Sequence, residues 1–303
     1  MPRLSAYRDN DELDNAIADK TIVYVEGPDD VSFFTNLAGP DVRDRLEFKT
    51  PENGTGYHQV KTRVAELRPD NRKVHGLLDG EAAAALGQVD LFLKAQGELF
   101  QAETENLEGL VFLAEYELEN LLLCHTKMAQ FIVQDVVVAE LGTRDPVQVQ
   151  QTIDTLALRF FLFSLIKFTM IAFHSDEQPC KGIGTFKGRF LDPAVGAAQL
   201  MRCDVRPAIS QQVDWEAFRD AMHGMVQTLR DHQAARGLDE IEKRREALRL
   251  ADGKLMLVHV RSRYKGGRTW DGHLHGELAQ SDYSGRFRNA LLEATGTAQR
   301  AAA

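Results

Sequence analysis

The first segment that could carry out chemistry is an apolar run that ends in an acidic residue. Residues 23–25 read Val-Tyr-Val, Glu26 follows, a Gly-Pro pair makes a turn, and Asp29 and Asp30 open a helical pattern. A strand here would put Glu26 at the carboxyl edge of a sheet, where α/β proteins bind ligands. Asp29 is then expected to cap the helix, which leaves Asp30 to point toward the same crevice. The alternative, that both aspartates only stabilise the helix N-terminus, does not account for Glu26.

A second apolar run, at residues 76–78, leads into Asp79-Gly80-Glu81. Asp79 and Glu81 are two residues apart, so an extended or turning backbone aims both carboxylates to one side. Such a pair can share a divalent cation, because Mg²⁺ prefers oxygen ligands in octahedral geometry. Crowded carboxylates also raise the pKa of one among them, which suits proton transfer near neutral pH. Alone, Asp-Gly-Glu is a common turn; with Glu26, it predicts a catalytic site formed by Glu26, Asp30, Asp79 and Glu81.

The elements that position these carboxylates alternate between β-type and helical patterns. Strands are predicted at Thr21–Val25, Leu46–Lys49, Val74–Leu78 and Leu110–Leu113, and helices at Asp11–Asp19, Asp29–Leu37 and Tyr57–Leu67. This alternation favours an α/β fold with a mostly parallel sheet flanked by helices. Long helical patterns follow at Glu117–Gln130, Val147–Phe173, Trp215–Arg236 and Asp239–Leu250. We therefore expect a catalytic core over residues 1–123 and a mainly helical lobe over residues 124–303.

Together, the two acidic segments resemble the Toprim domain of topoisomerases, primases and overcoming-lysogenization-defect (OLD) nucleases. In that fold, a glutamate at the end of one strand is taken to act in acid/base chemistry. An acid-x-acid pair at the end of another strand is taken to hold Mg²⁺. The resemblance implies that Glu26, Asp79 and Glu81 contact the metal. Glu81 stands where the usual pattern has a second aspartate, and its longer side chain changes the reach of that ligand.

A third acidic segment, LAEYELENLL at residues 113–122, follows a strand candidate and opens a helix. It is similar to the Toprim-like nuclease subunits that accompany ABC-type ATPases in phage defence, as in PARIS-type systems. The resemblance, which covers the first 123 residues, implies a toxic Mg²⁺- or Mn²⁺-dependent nuclease effector of antiviral defence. Such an effector is restrained by an ABC-type ATPase, acts as a homodimer and cleaves nucleic acid, transfer RNA being one substrate class. Glu119 becomes a further candidate metal ligand; an i to i+4 partner on a solvated helix face is the alternative.

Two basic segments are candidates for holding a phosphate backbone. The candidate residues are Lys181, Lys187 and Arg189 in the first, and Arg261, Arg263, Lys265 and Arg268 in the second. Tyr264 and Trp270 are interleaved with the second group, and aromatic rings among cations suit stacking on unpaired bases of RNA or DNA. Solvated surface loops are the alternative interpretation.

The charge distribution leaves room for such a basic track. The formal net charge is −9, and residues 81–145 alone carry twelve acidic against three basic side chains, whereas residues 252–303 carry eight basic against five acidic. An acidic protein can therefore still bind nucleic acid locally. The acidic stretch also supports a second reading, a catalytically silent Toprim-like adaptor that docks an ATPase or a phage protein.

Composition indicates a cytoplasmic protein. Three scattered cysteines without a Cys-x-x-Cys pair predict neither a disulfide framework nor a thiolate zinc site. Residues 156–173 are mostly apolar, but Arg159 and Lys167 interrupt them, and a charge at mid-bilayer costs about 2.5–3.5 kcal/mol. We expect a buried helix whose two basic side chains face a partner or ligand, and no membrane span. A housekeeping primase or topoisomerase is disfavoured because zinc cysteines and a strand-passage tyrosine context are missing.

Overall fold

Five strands of the described residues form one sheet. The computed structural model describes residues 20–102, 104–135, 145–173, 188–192, 194–264 and 268–297. The strands are β1 (Thr21–Tyr24), β2 (Leu46–Lys49), β3 (Val74–Leu78), β4 (Leu99–Gln101) and β5 (Leu110–Leu113). Their order is β2-β1-β3-β5-β4, with parallel pairing except between β4 and β5. The expected α/β class with a mostly parallel sheet is confirmed.

Helices separate the strands and dominate the rest of the chain. The first five are α1 (Pro28–Ala38), α2 (Tyr57–Leu67), α3 (Gly80–Ala85), α4 (Val89–Lys94) and α5 (Leu118–Leu123). They are followed by α6 (Met128–Asp135), α7 (Pro146–Phe173), α8 (Ala197–Gln199), a π-helical segment Leu200–Val205, α9 (Arg206–Ile209), α10 (Trp215–Ala235), α11 (Glu240–Leu250), α12 (Gly253–Arg263), α13 (Arg268–Gln280) and α14 (Asp282–Ala294). The helical character predicted after residue 117 is confirmed.

Two predicted elements differ from the structure. The single helix expected over Glu117–Gln130 is divided into α5 and α6, because the ring of His125 accepts a hydrogen bond from the backbone of Lys127 and starts a new helix. The glycine-rich segment Tyr264–Gly276 is predicted to be a loop, but the chain is helical from Arg268, since Leu274 and Leu278 are buried four residues apart. That burial offsets the helix cost of a glycine, about 1 kcal/mol. The helix predicted at residues 11–19 lies outside the described residues.

The chain divides into two compact units. Of the described residues, one unit holds those at 20–82, 95–114 and 275–297, and the other holds those at 83–94 and 115–274. The sheet unit thus includes α14, which the sequence boundary at residue 123 assigned to the helical lobe. The physical reason is packing: the ring of Phe287 stacks on Phe34 of α1 at 5.7 Å.

Strand β1 occupies the point where the strand order reverses. The chain passes from β1 to β2 on one side and then returns across β1 to β3 on the other. In the register, Tyr24 pairs with Lys49 of β2 and with Gly76 of β3. Ligands of open α/β sheets bind outside the carboxyl ends of the strands at such a switch point. The residues that directly follow β1 and β3 therefore lie at the expected ligand site.

Gly76 allows α2 to lie close to this part of the sheet. A Cβ atom at residue 76 would lie 2.7 Å from Cγ1 of Val60 in α2 and 2.8 Å from Cδ2 of Leu110 in β5. Both distances are far shorter than an ordinary van der Waals contact. Only a hydrogen at this position leaves room for the helix.

The second unit is organised around α7, which packs against α6, α10, α11 and α12. By length and composition α7 could cross a membrane, with a mean hydropathy of 1.9 in its most apolar window, yet 56% of that window is buried inside the protein. Its two cations have partners in the same unit. Arg159 donates to four backbone carbonyl groups between Arg189 and Val195, and Nζ of Lys167 lies 3.3 Å from Oδ2 of Asp252.

Substitution Gly76→Ala is expected to destabilise the sheet unit by roughly 1–3 kcal/mol, because the added methyl group overpacks the interface between α2 and β3. Chemical denaturation measures the loss. Gly224→Ala in α10 is the matched control, since a Cβ there meets nothing within 4 Å, and it should be neutral or slightly stabilising. Equal stability of the two variants would contradict the close approach at Gly76.

His75 on β3 is expected to make the protein less stable in acid. Burial, and next the charge of Arg68, lower the pKa of His75 from 6.5 to about 3. The unfolded chain therefore binds a proton at a higher pH than the folded chain does. The stabilisation is complete above pH 6.5 and is lost as the pH falls from about 6.5 toward 3.

In His75→Gln, the free energy of unfolding in urea should fall less steeply over pH 6.5–4.5, by up to roughly 1.4 kcal/mol per pH unit. The exposed His223, changed to Gln, serves as the control and should leave the slope as it is. A wild-type slope in His75→Gln would show that this histidine does not drive the acid sensitivity.

Candidate active site

Glu26 is the second residue after β1 and is held by the sheet and by the first turn of the next helix. The backbone N–H of Val25 donates to the carbonyl of Lys49 at 2.8 Å, which extends the pairing of β1 and β2 up to Glu26. Glu26 is half-buried. Oδ2 of Asp30 accepts a hydrogen bond from the N–H of Gly27 at 2.8 Å.

The helix cap predicted for Asp29 therefore belongs to Asp30, and Asp29 is exposed. Asp30 holds the turn that directs the chain away from Glu26. A direct catalytic role of Asp30 stays a prediction, while its contact with Gly27 gives it a positioning role.

A hydrogen bond joins the ends of the two strands at the switch point. The backbone N–H of Asp79, which follows β3, donates to Oε1 of Glu26 at 3.3 Å. Two acidic residues separated by more than fifty positions in sequence are thus in contact. The pairing follows from the parallel register of β1 and β3, which aligns their carboxyl ends.

Glu81 lies two residues further, in the first turn of α3, and is half-buried like Asp79. Across the described residues, no group of three or more His, Cys, Asp or Glu side chains is arranged to hold a metal ion. The donor set at Glu26 and Asp79 consists of carboxylate oxygens. It fits Mg²⁺ in the mode where one or two carboxylates bind the ion together with water and substrate phosphate, and does not fit an all-protein cage.

The Leu-Glu-Asn-Leu-Leu segment forms a structural tie within the second unit. The buried side chain of Asn120 donates to the carbonyls of Leu248 (2.8 Å) and Ala251 (2.9 Å), and its Oδ1 accepts from the N–H of Glu117 (2.9 Å). A Cβ atom at Gly253 would lie 2.3 Å from Oδ1 of Asn120, so the start of α12 lies directly against this amide.

Glu117 completes the tie. It is 2% exposed, and its carboxylate accepts from the N–H of Lys254 at 2.7 Å and lies 3.4 Å from Nζ of the same residue. Glu119, the predicted further metal ligand, is half-buried in α5 and belongs to the second unit, whereas Glu26, Asp79 and Glu81 belong to the first. Its metal role stays a prediction.

The predicted nucleic-acid-binding residues have different surroundings. Arg189 has ion-pair partners in Asp192 (3.6 Å) and Asp204 (3.4 Å). Arg261 and Arg263 are exposed in the last turn of α12. Lys181, Lys187 and Lys265 lie outside the described residues, as does the side chain of Arg268.

The aromatic part of that prediction is wrong for Tyr264. This ring is 4% exposed and lies beneath the guanidinium of Arg263 at 5.9 Å, so it is not available to stack on a base. An aromatic residue near the end of a helix is buried when the side of the helix on which it lies packs against the core. The spacing between aromatic and cationic residues in the sequence does not show which side that is.

Three residues at this edge of the sheet, Lys49, Tyr57 and His58, are not identified by the sequence analysis. The loop between β2 and α2 reads Asn-Gly-Thr-Gly at residues 53–56, and the N–H of Gly56 donates to the carbonyl of Glu26 at 2.8 Å. This bond brings Tyr57 and His58 to the same edge of the sheet, where Lys49 ends β2. The available signal was a second strand followed by a glycine-rich loop and a helix.

Substitution Asn120→Asp should destabilise the second unit by several kcal/mol, on the order of 3, because it replaces two N–H donors with a carboxylate that faces two carbonyl oxygens. The exposed Asn289, changed to Asp, is the control and should cost less than about 0.5 kcal/mol. Urea unfolding measures both. A change in Asn120→Asp no larger than in the control would rule out a structural tie here.

No protein-family model matches this chain, and no curated protein matches it. The contact between Glu26 and Asp79 at the switch point, therefore, is the observation from which a function is inferred.

Proposed function

We propose that the chain is a metal-dependent, Toprim-like nuclease effector that cleaves phosphodiester bonds at the carboxyl edge of its sheet. The observation that carries the proposal is the hydrogen bond between Glu26 and the backbone of Asp79, at the point where the strand order reverses. It joins the two acidic strand ends that resemble the Toprim pattern. The resemblance adds the expectation of a cytoplasmic antiviral effector that acts on transfer RNA or DNA as a homodimer under an ABC-type ATPase.

In this proposal Glu26 is the general acid/base. Its carboxylate is half-buried at the end of β1, oriented by the N–H of Asp79, and can take a proton from the attacking water or return one to the leaving oxygen. Glu26 and Asp79 would hold Mg²⁺ or Mn²⁺ together with water and substrate phosphate, and Glu81 stays the further ligand that the resemblance implies. The bound ion supplies positive charge at the scissile phosphate and eases ionisation of the attacking water. Asp30 keeps the Gly27 turn in place.

Two observations favour the second candidate, a catalytically silent adaptor. The described residues contain no preformed group of three metal-binding side chains, and Asp30 already accepts a hydrogen bond from its own helix start. Such a chain would use the acidic stretch at residues 81–145 to dock an ATPase or a phage protein. Calorimetry with Mg²⁺ and Mn²⁺ separates the two candidates, because only the nuclease requires a metal site.

Substitution Glu26→Gln is expected to lower the cleavage rate by at least about a hundredfold, the usual contribution of a general acid/base. The assay compares plasmid DNA, single-stranded DNA and bulk transfer RNA, each with Mg²⁺, Mn²⁺ or a chelator. Glu293→Gln, an exposed glutamate of α14, is the matched control and should cleave like the wild type. Wild-type cleavage by Glu26→Gln, or cleavage unaffected by chelator, would contradict the proposed mechanism.

A further inference from the structure

The backbone hydrogen bonds of Val25 and Glu26 lead to a cation and two aromatic rings at this edge of the sheet, and the acid/base mechanism makes no use of them. Lys49 ends β2, and its carbonyl accepts from the N–H of Val25 at 2.8 Å. Tyr57 and His58 begin α2, directly after Gly56, whose N–H bonds to the carbonyl of Glu26. Lys49, Tyr57 and His58 are called the edge cluster below.

The strand register assigns Lys49 to a particular face of the sheet. Paired residues of parallel strands point to the same face, and Tyr24 is paired with both Lys49 and Gly76. Gly76 faces α2, because its missing Cβ would meet Val60 of that helix. The side chain of Lys49 therefore points to the same face of the sheet as α2. Tyr57 and His58 are the first two residues of that helix.

This position makes Lys49 different from an ordinary surface lysine. Its side chain is 15% exposed, and Oε1 of Glu47 lies 4.0 Å from its Nζ, while Oε2 of Glu47 lies 3.9 Å from Nζ of Lys20. A lysine covered in this way is desolvated in part, which strengthens its attraction for a phosphate group compared with a lysine in water. Its location at the end of β2 is next to the acidic strand ends.

The two rings supply the complementary surface for a base. The ring centroids of Tyr57 and His58 lie 3.9 Å apart at an interplanar angle of 36°, and both residues are half-buried. Adjacent rings of this kind form a stacking platform for an unpaired base, since every base has a π-face. Bases within a duplex are already stacked on their neighbours and present only their edges in the grooves.

We propose that the edge cluster binds the substrate of the proposed nuclease and selects a single-stranded segment of nucleic acid. Lys49 contacts a phosphate next to the scissile bond, and an unpaired base stacks on Tyr57 and His58. The inference rests on the proposed function and deepens it, because it names the structural state of the substrate. It also replaces the stacking role predicted for Tyr264, whose ring is buried.

The test measures binding in the Glu26→Gln background, so that it does not depend on cleavage. The probes are fluorescent oligothymidylate and oligouridylate strands and a blunt DNA duplex of equal length, and the readout is anisotropy over a range of salt concentrations. Tyr57→Leu keeps an apolar side chain and removes the ring, while Tyr57→Phe keeps the ring. Lys49→Ala is compared with Lys20→Ala, a lysine at the opposite end of the β1–β2 pair that also lies near Glu47.

We expect Tyr57→Leu to weaken binding of the single strands about tenfold and Tyr57→Phe to change it by less than about twofold. Lys49→Ala should reduce the slope of log Kd against log salt by about 0.7, the value for one lost phosphate contact on a single strand. Lys20→Ala should leave the slope unchanged. The fluorescence of a 2-aminopurine base in the strand should be quenched by stacking when the strand binds the protein with Tyr57 in place. This quenching should be absent when the strand binds Tyr57→Leu.

If Tyr57→Leu and Lys49→Ala bind the single strands as the parent protein does, the proposed role of the edge cluster is wrong. The proposed nuclease function is not affected by that result. Equal affinity for the duplex and the single strands would overturn the single-strand preference. If Glu26→Gln, like the wild type, binds none of the three probes, the proposed nuclease function fails, and the edge cluster fails with it.

Discussion

The parallel pairing of β1 with both β2 and β3 is the constraint on which the candidate site depends. Parallel strands must be joined by crossover connections, so their carboxyl ends all lie along the same edge of the sheet. Since the chain leaves β1 toward β2 and returns to β3 on the other side, the two connections separate at β1 and leave a crevice. Glu26 and Asp79 enter that crevice because each lies within two residues of the carboxyl end of its strand.

The close approach of α2 to the sheet extends this arrangement beyond the acidic residues. Gly76 leaves the space in which Val60 of α2 lies, and the same helix begins beside Glu26 through the bond of Gly56. Carboxylates and a cation with aromatic rings thereby share one edge. The first group is suited to proton transfer and metal binding, and the second to holding a phosphate and a base, so the two proposals describe one site.

The helical unit depends on satisfying polar groups that its folding buries. Asn120 and Glu117 bond to backbone groups of α11 and α12, and Arg159 bonds to carbonyls of a neighbouring segment. Burying such groups without partners would cost roughly 1–3 kcal/mol each. These polar contacts determine which helices pack against each other in this unit. Apolar surfaces alone would specify little about how the helices are oriented. They also explain cations within the apolar helix α7.

The sequence by itself determined the local elements. Alternating apolar runs predicted β2, α2, β3 and β5 at the bounds that the structure has, and the acidic strand ends identified Glu26 and Asp79 as neighbours. Periodicity and capping act over a few residues, so they are readable without a tertiary structure.

Only the tertiary structure decided which side chains share a place. Packing between segments that are distant in sequence determines three features of this protein. They are the burial of Tyr264, the inclusion of α14 in the sheet unit and the backbone bond that brings Lys49 next to Val25 and Glu26. The sequence predicts acidic chemistry for the Leu-Glu-Asn-Leu-Leu segment, but its Asn120 and the preceding Glu117 bond to other helices. The type of a residue shows which hydrogen bonds and ion pairs it can form. Its partner, however, depends on contacts between segments that are distant in sequence, and a local sequence pattern does not predict these contacts.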